Sequence, residues 1–327
     1  VEIKRPLVSV ISIFHNRAAE VEVSIESLLS QTYEPLEIIV VDDGSTDDTL
    51  ERLKRFEDPR LTIVSQANKG FTTTLNATVK ASRGEFVAIH GSGDISYPLR
   101  IERQAEVLSS HPEVMVAGVY VDNEGGRSRV YADFEPRPLT YLQTYHYSPM
   151  THGEVMFRRS MFDRLGGYRS FFKFGQDHDL WCRIDRAGGA FWIVPELLYV
   201  RRRFAGVVNA DPAKLMQQAF YADFAEQCAY GRAPDEPDLI DRYGAAAPFF
   251  AKRSKRLAQK LSGLGVEALA RGEDAPARLL IAAARGQVVS PKTLLLSWIA
   301  GLSLAHPALW RGVAPVVRPL LGRGRKS

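Results

Sequence analysis

The chain is poor in cysteine, with two in 327 residues, Cys182 and Cys228. Neither lies in a C-x-x-C pair or beside a cluster of metal-ligating residues, so a disulfide framework and a thiolate metal site are excluded and reduced thiols are expected. Long hydrophobic runs are missing too. The most apolar stretch, 293–310, is interrupted by Ser297, Gly301, Ser303, His306 and Pro307, and falls short of the roughly 20 predominantly apolar residues that a spanning helix requires. Residues 1–6 are charged and carry no apolar leader core, which points to a cytoplasmic protein. No G-x-G-x-x-G follows the first strand-like segment, which argues against a nicotinamide-binding fold, and the absence of G-x-x-x-x-G-K-S/T excludes a P-loop.

What is present is an ordinary globular composition, 45 % hydrophobic and 24 % charged, which excludes a collagenous or disordered chain. At this length one large domain with an appendage is expected, because a single core stops growing at roughly 250–300 residues. The net charge of +4 conceals an asymmetry. From Leu239 onward 15 Lys and Arg face 4 Asp and Glu, no carboxylate side chain follows Asp274, and residues 1–238 hold the other 27 cations and 34 acids. An acidic body with a basic tail suits an anionic membrane surface or an anionic acceptor. The tail has neither aromatic interleaving nor a recognisable motif, so no nucleic-acid partner is expected.

Residues 7–121 alternate short β-branched runs with helical patterns, the signature of a parallel sheet with crossover helices. Strands are expected at 7–14, 36–41, 61–65, 85–90 and 114–120. Val21, Ile25, Leu28 and Leu29 form the inward stripe of a first helix. Further helices fit 49–56, 72–81 and 98–110, the last with Pro98 at its first position. Right-handed crossovers make these strands run the same way and bring their carboxyl ends to one edge, where open α/β sheets bind ligands. Four polar clusters fall there: His15-Asn16, Asp42-Asp43-Gly44-Ser45, Asn68-Lys69-Gly70 and Gly91-Ser92-Gly93-Asp94. Asp42 and Asp43 either brace loop backbone or accept hydrogen bonds from a base N–H or a ribose hydroxyl.

Together these residues resemble a family 2 glycosyltransferase of the GT-A fold. The resemblance is carried by Val8-Ser9-Val10-Ile11 through His15-Asn16-Arg17, by Ser30-Gln31-Thr32-Tyr33, by Val41-Asp42-Asp43-Gly44-Ser45-Thr46-Asp47, by Asn68-Lys69-Gly70 and by Gly84-Glu85-Phe86-Val87. It covers about residues 6–205. It implies an inverting transfer of a sugar from a nucleotide-diphosphate sugar to a hydroxyl of a glycan or lipid-linked acceptor, with His15 and Asp43 holding the base, Asn16 and Asp42 beside them, and Asn68 at the rim. The alternative is a non-catalytic nucleotide- or glycan-binding relative. The implied architecture is a GT-A domain over 1–210, divided into a nucleotide half at 1–121 and an acceptor half at 122–210, with a helical basic extension over 211–327.

One motif departs from that pattern. The resembled enzymes carry Asp-x-Asp and a further Asp after the fourth strand, where this chain has Gly91, Ser92, Gly93 and Asp94. A Mg or Mn ion on a diphosphate takes one or two protein carboxylates. Asp94 alone is left to supply a ligand, to bind a ribose hydroxyl, or to start the next helix. Arg201, Arg202 and Arg203 either reach over the phosphates or form a solvated face. Farther on, Gly175-Gln176-Asp177-His178-Asp179-Leu180-Trp181-Cys182-Arg183 resembles the family's Glu-Asp-x-Asp-Leu-Trp-x-Arg, with Gln176 in place of the first acid. The resemblance makes Asp177 the general base, against the reading of an acid at a helix N-terminus. Asp179 is expected to pair with Arg183. His152, Gln176, His178 and Trp181 are candidates to face the acceptor, Trp181 either as a sugar-stacking face or as core. Helices are expected at 177–187, 213–230, 248–261, 275–285 and 292–304. The basic tail is expected to hold the enzyme at the inner face of the plasma membrane or to engage its acceptor.

Overall fold

The computed structural model describes residues 5–124, 135–147, 150–202, 211–233 and 236–306. The chain divides into two compact units, Val1–Ala205 and Gly206–Ser327.

In the first unit, β1 (Val8–Phe14), β2 (Leu36–Asp43), β3 (Leu61–Gln66) and β4 (Phe86–Gly91) are parallel neighbours. β1 and β2 read as nearly unbroken apolar runs because both their faces are covered. β3 lies at the sheet's edge and alternates half-buried with exposed residues. The helices α1 (Val21–Leu29), α2 (Thr49–Leu53), α3 (Phe71–Ala81) and α4 (Arg100–Ser110) supply the crossovers. α1 packs Val21, Ile25 and Leu28 into the core formed by Val10, Ile38 and Val40. α4 begins two residues later than expected, with Pro98 in the preceding turn. The register pairs Phe14 with Asp42, Asp43 with Gln66, and Ile13 with Gly91. The carboxyl ends of these strands therefore share one edge.

The full order is β3-β2-β1-β4-β7-β6-β8-β5. It includes β5 (Ile95–Ser96), β6 (Val114–Asn123), β7 (Met156–Arg158) and β8 (Ala190–Arg201). The five strands expected to run the same way, β1 to β4 and β6, do so; the antiparallel members are β5, beside β8, and β7, between β4 and β6. Three residues are too few to show a period. β8 runs through a proline because Pro195 and Glu196 bulge out of the ladder between Val194 and Leu197. The acceptor half adds α5 (Tyr141–Tyr147), α6 (Arg159–Arg164) and α7 (Gln176–Arg186).

The second unit is helical: α8 (Pro212–Tyr230), α9 (Leu239–Tyr243), α10 (Lys255–Arg271), α11 (Asp274–Gln287) and α12 (Pro291–Ala305). Asp211 caps α8 through the Ala213 N–H, with Pro212 at the first position. The helix expected at 248–261 instead begins at Lys255 behind the Ser254 cap, and Pro248 lies inside a 3-10 segment, Gly244–Phe250. Leu257, Leu261, Leu269, Leu280, Ile281 and Leu296 form the core. Gly265 lets α11 approach, since a Cβ there would meet Ile281 at 2.5 Å. No helix among the described residues is long and apolar enough to cross a membrane.

Candidate active site

The first three polar clusters meet at the carboxyl edge and are hydrogen-bonded to one another. Asn16, at a positive φ of 51°, accepts the Thr46 N–H (2.8 Å) on its side-chain oxygen and donates its own N–H to Ser45 Oγ (3.0 Å). The Arg17 and Ala18 N–H groups donate to Thr49 Oγ1 (2.8 Å) and Asp47 Oδ2 (3.2 Å). Asn16 thus fastens the first loop to the second. A Cβ on Gly44, whose φ is 73°, would stand 2.5 Å from the Asn68 nitrogen, so glycine lets the third loop approach. His15 Nδ1 lies 3.1 Å from the Asp43 carbonyl oxygen and 3.3 Å from Asn68 Nδ2. A protonated Nδ1 donates to that carbonyl and leaves Nε2 as an acceptor. His15, Asn16 and Asn68 are exposed.

The two acids beneath them differ. Asp43 accepts from Gln66 Nε2 (2.7 Å), Thr74 Oγ1 (2.8 Å) and the N–H groups of Lys69 and Gly70 (3.0 Å each). Burial pushes its pKa up, but these donors outweigh burial and hold it below the ordinary carboxylate value. Three of these donors fall on Oδ1 and one, the Gly70 N–H, on Oδ2, so Asp43 shapes the loop 68–70 and the start of α3 while Oδ2 keeps a lone pair. Asp42 has only long contacts, with the Ser45 N–H (3.3 Å) and the Ser65 hydroxyl (3.5 Å).

Asp94 is buried and hydrogen-bonded through both oxygens. Tyr199 donates its hydroxyl to Oδ2 (2.7 Å) and accepts the Gly91 N–H (3.0 Å), while the Arg202 N–H donates to Oδ1 (2.9 Å). Burial raises its pKa against these bonds. No group of three or more His, Cys, Asp or Glu that would hold a metal occurs among the described residues. Each Asp94 oxygen already takes one protein donor, and the two motif carboxylates that would share a divalent ion with it are Gly91 and Gly93, so this donor set fits such an ion poorly. Behind it, the buried Arg100 donates to the Ile89 carbonyl (2.6 Å) and Ser96 Oγ (2.8 Å) and lies under the Tyr199 ring (4.8 Å). Arg201 bonds Asn123 (2.9 Å), and Arg202 pairs with Glu20 (2.7 Å) and Glu124 (3.6 Å). Arg203 lies outside the described residues.

On the acceptor side, Asp177 sits in the first turn of α7, behind Gly175 at φ 70°. Its carboxylate is half-buried and has no hydrogen-bond partner among the described residues. It acts electrostatically on His152 and Tyr168, which share a hydrogen bond (2.8 Å). Burial lowers the His152 pKa, opposed by Asp177, and burial raises that of Tyr168, reinforced by Asp177. The Phe71 ring packs edge-on to His152 at 5.5 Å, which joins the start of α3 to this cluster. The expected pair of Asp179 with Arg183 is present (2.9 Å), and Arg169 joins it at 2.5 Å. Arg183 also holds the Leu165 and Gly167 carbonyls (2.9 and 2.7 Å), so this buried pair fixes the direction of α7.

Two acceptor candidates are corrected. Trp181 is fully buried against Phe157 and Phe191 and offers no face to a sugar. His178 is turned into the body, where Nδ1 meets the Tyr141 hydroxyl at 2.8 Å. Gln176 is half-buried beside Asp177. The sequence reading missed Gln66, Thr74, Phe71, Tyr168 and Tyr199. Gln66 and Thr74 were findable as polar residues flanking a loop at the carboxyl edge; Tyr199, inside an apolar strand, gives no such signal.

Comparison with known proteins places this geometry. Residues 9–173 match the glycosyl transferase family 2 model. The putative glycosyltransferase EpsE of Bacillus subtilis is 33 % identical over 230 residues, 65 % of this chain and 82 % of that protein. The amylovoran biosynthesis glycosyltransferase AmsE of Erwinia amylovora is 29 % identical over 209 residues, 61 % of this chain and 77 % of that one. Among solved structures, the S. aureus TarS fragment 1–349 with UDP-GlcNAc superposes with a TM-score of 0.61 at 17 % identity, covering 92 % of each chain. The mannosyltransferase PcManGT of Pyrobaculum calidifontis, solved with GDP-Man and Mn2+, gives 0.57 at 22 % identity, covering 98 % of this chain and 89 % of that one. The sheet with its edge of loops is a GT-A fold, and the chain is a glycosyltransferase belonging to glycosyl transferase family 2.

Proposed function

We propose that the protein moves a hexosyl or related sugar from a nucleotide-diphosphate sugar to a hydroxyl of a glycan or lipid-linked acceptor, with inversion at the anomeric carbon. The observation that carries this reading is the Asp177 carboxylate, which has no donor among the described residues and stands near His152 and Tyr168. Asp177 takes the proton of the acceptor hydroxyl as its oxygen attacks the anomeric carbon. The bond to the diphosphate breaks on the opposite side. His15, Asn16, Asn68, Asp42 and Asp43 face the nucleotide, Asp42 with only long protein contacts and Asp43 through the oxygen that takes a single donor. His152 and Tyr168 shape the acceptor side, and Gln176 borders it. The name of AmsE, an amylovoran biosynthesis glycosyltransferase, supports a role in polysaccharide biosynthesis.

Replacing Asp177 by Asn tests the base. Turnover is expected to fall by about 10²–10⁴, with nucleotide affinity unchanged in calorimetry. Unchanged turnover would overturn the assignment of the base, and no turnover in the parent chain would favour the non-catalytic binding role.

The helical unit supports docking on an anionic membrane. Leu294, Leu295 and Trp298 are exposed on α12, and eight Lys and Arg with no acid follow Asp274. Apolar insertion and roughly 1 kcal/mol per basic residue act together there. The full chain should float with phosphatidylglycerol-containing vesicles and not with neutral ones, and Trp298→Glu should reduce that flotation. Equal partitioning into both would sink the idea.

A further inference from the structure

We infer that the diphosphate of the donor is bound without a divalent cation, its place at position 91 being filled from within by the Asp94 carboxylate and the Tyr199 hydroxyl. This rests on the glycosyl-transfer reading and deepens it. A Cβ at Gly91 would overlap Asp94 Oδ2 and come within 3.2 Å of the Tyr199 hydroxyl. A Cβ at Gly153, on the other wall, would stand 2.6 Å from that hydroxyl and 3.2 Å from Asp94 Oδ2. The acid and the phenol therefore occupy a slot bounded by two glycines, and a side chain at either position evicts them.

The bonds inside the slot are directional. The Tyr199 hydroxyl aims its proton at Oδ2, and the Arg202 N–H aims at Oδ1. Each Asp94 oxygen gives one lone pair to a protein donor, while Mg²⁺ demands near-octahedral oxygen ligands at roughly 2.0–2.1 Å, and with glycine at 91 and 93 neither of the other two motif positions supplies a carboxylate beside Asp94. Asp94 instead fastens the end of β8 to the end of β4. It is thus a positioning residue: through the Arg202 N–H it holds Arg202 at the edge where the diphosphate charge grows. The counter-charge falls to the side chains of that edge, Arg17, Lys69 and Arg202. For Arg202 this means exchanging Glu20 and Glu124 for phosphate.

The test is calorimetric titration of the full chain with UDP, GDP and dTDP, in EDTA and in MnCl₂. The affinity of the nucleotide that binds should agree between the two buffers within about threefold. Asp94→Asn keeps an oxygen for the Arg202 N–H, and its binding should likewise not depend on Mn²⁺. Arg202→Ala should weaken the diphosphate about tenfold in both buffers while leaving the affinity for the bare nucleoside unchanged. A tenfold or larger tightening by Mn²⁺ that Asp94→Asn abolishes would overturn the inference and leave the glycosyl-transfer reading standing. Binding of no nucleotide in either buffer would overturn both.

Discussion

Asp43, Asp47 and Asp94 in the nucleotide half and Asp177 in the acceptor half are held in opposite ways. Asp43 takes four protein donors, Asp47 takes the Ala18 and Thr49 N–H groups and the Thr49 hydroxyl, and Asp94 takes two. Asp177, with its flanking helix fixed by the Asp179–Arg183 pair, takes none among the described residues. An acid whose lone pairs are filled shapes backbone; an acid whose lone pairs are unspent is available to accept a proton. Residue type is the same, and the neighbours decide the role.

The contrast is open to measurement through stability. Asp43→Asn turns an amide N–H₂ toward donors that lose their acceptor, and each buried unsatisfied group costs about 1–3 kcal/mol. Denaturant unfolding should show a loss of about 3 kcal/mol or more. Asp177→Asn removes only a helix N-terminal charge, and about 1 kcal/mol or less is expected. Equal losses for the two would erase the distinction.

Glu154 is a third kind of acid, and its effect is expected to be smaller. It is buried, and burial outweighs its bonds from Thr151 and the charge of Arg100, so its pKa is raised from 4.5 to about 7. The folded state keeps a proton that the unfolded state has lost, so this contribution is fully present below pH 4.5 and disappears as the pH rises through about 7. His90 has the opposite sign. Burial and Arg100 lower it from 6.5 to about 3, so its contribution is present above 6.5 and lost as the pH falls toward 3. Glu154→Gln should therefore match the parent near pH 4 and exceed it by about 2 kcal/mol at pH 8. A constant difference across that range would mean that Glu154 does not titrate there.

Much of the fold is legible in the sequence because apolar burial repeats with a period. β1 to β4 and the inward stripe of α1 follow from spacing alone, and the gathering of His15, Asp42 and Asn68 follows from parallel crossovers. β7 escaped because it is three residues long, and the start of β8 escaped because Pro195 reads as a strand end. The late start of α10 reflects a competition between two helix signals, Pro248 and Ser254, that only the capping hydrogen bond from Leu257 resolves. Trp181 and His178 follow Asp177 on the same helix, and their burial depends on what α7 packs against.

By itself the sequence determined the glycosyltransferase scaffold, the edge where its loops meet, the loss of the two motif carboxylates at Gly91 and Gly93, and the basic, acid-free end. These follow from composition, periodicity and motif, which are local properties. Only the tertiary structure decided which acid is spent and which is available. The Gln66 and Thr74 donors to Asp43, the Tyr199 hydroxyl on Asp94 and the Tyr168–His152 pair near Asp177 join segments 16 to 105 residues apart in the chain. Hydrogen-bond saturation depends on neighbours in space, and those neighbours exist only once the sheet has closed.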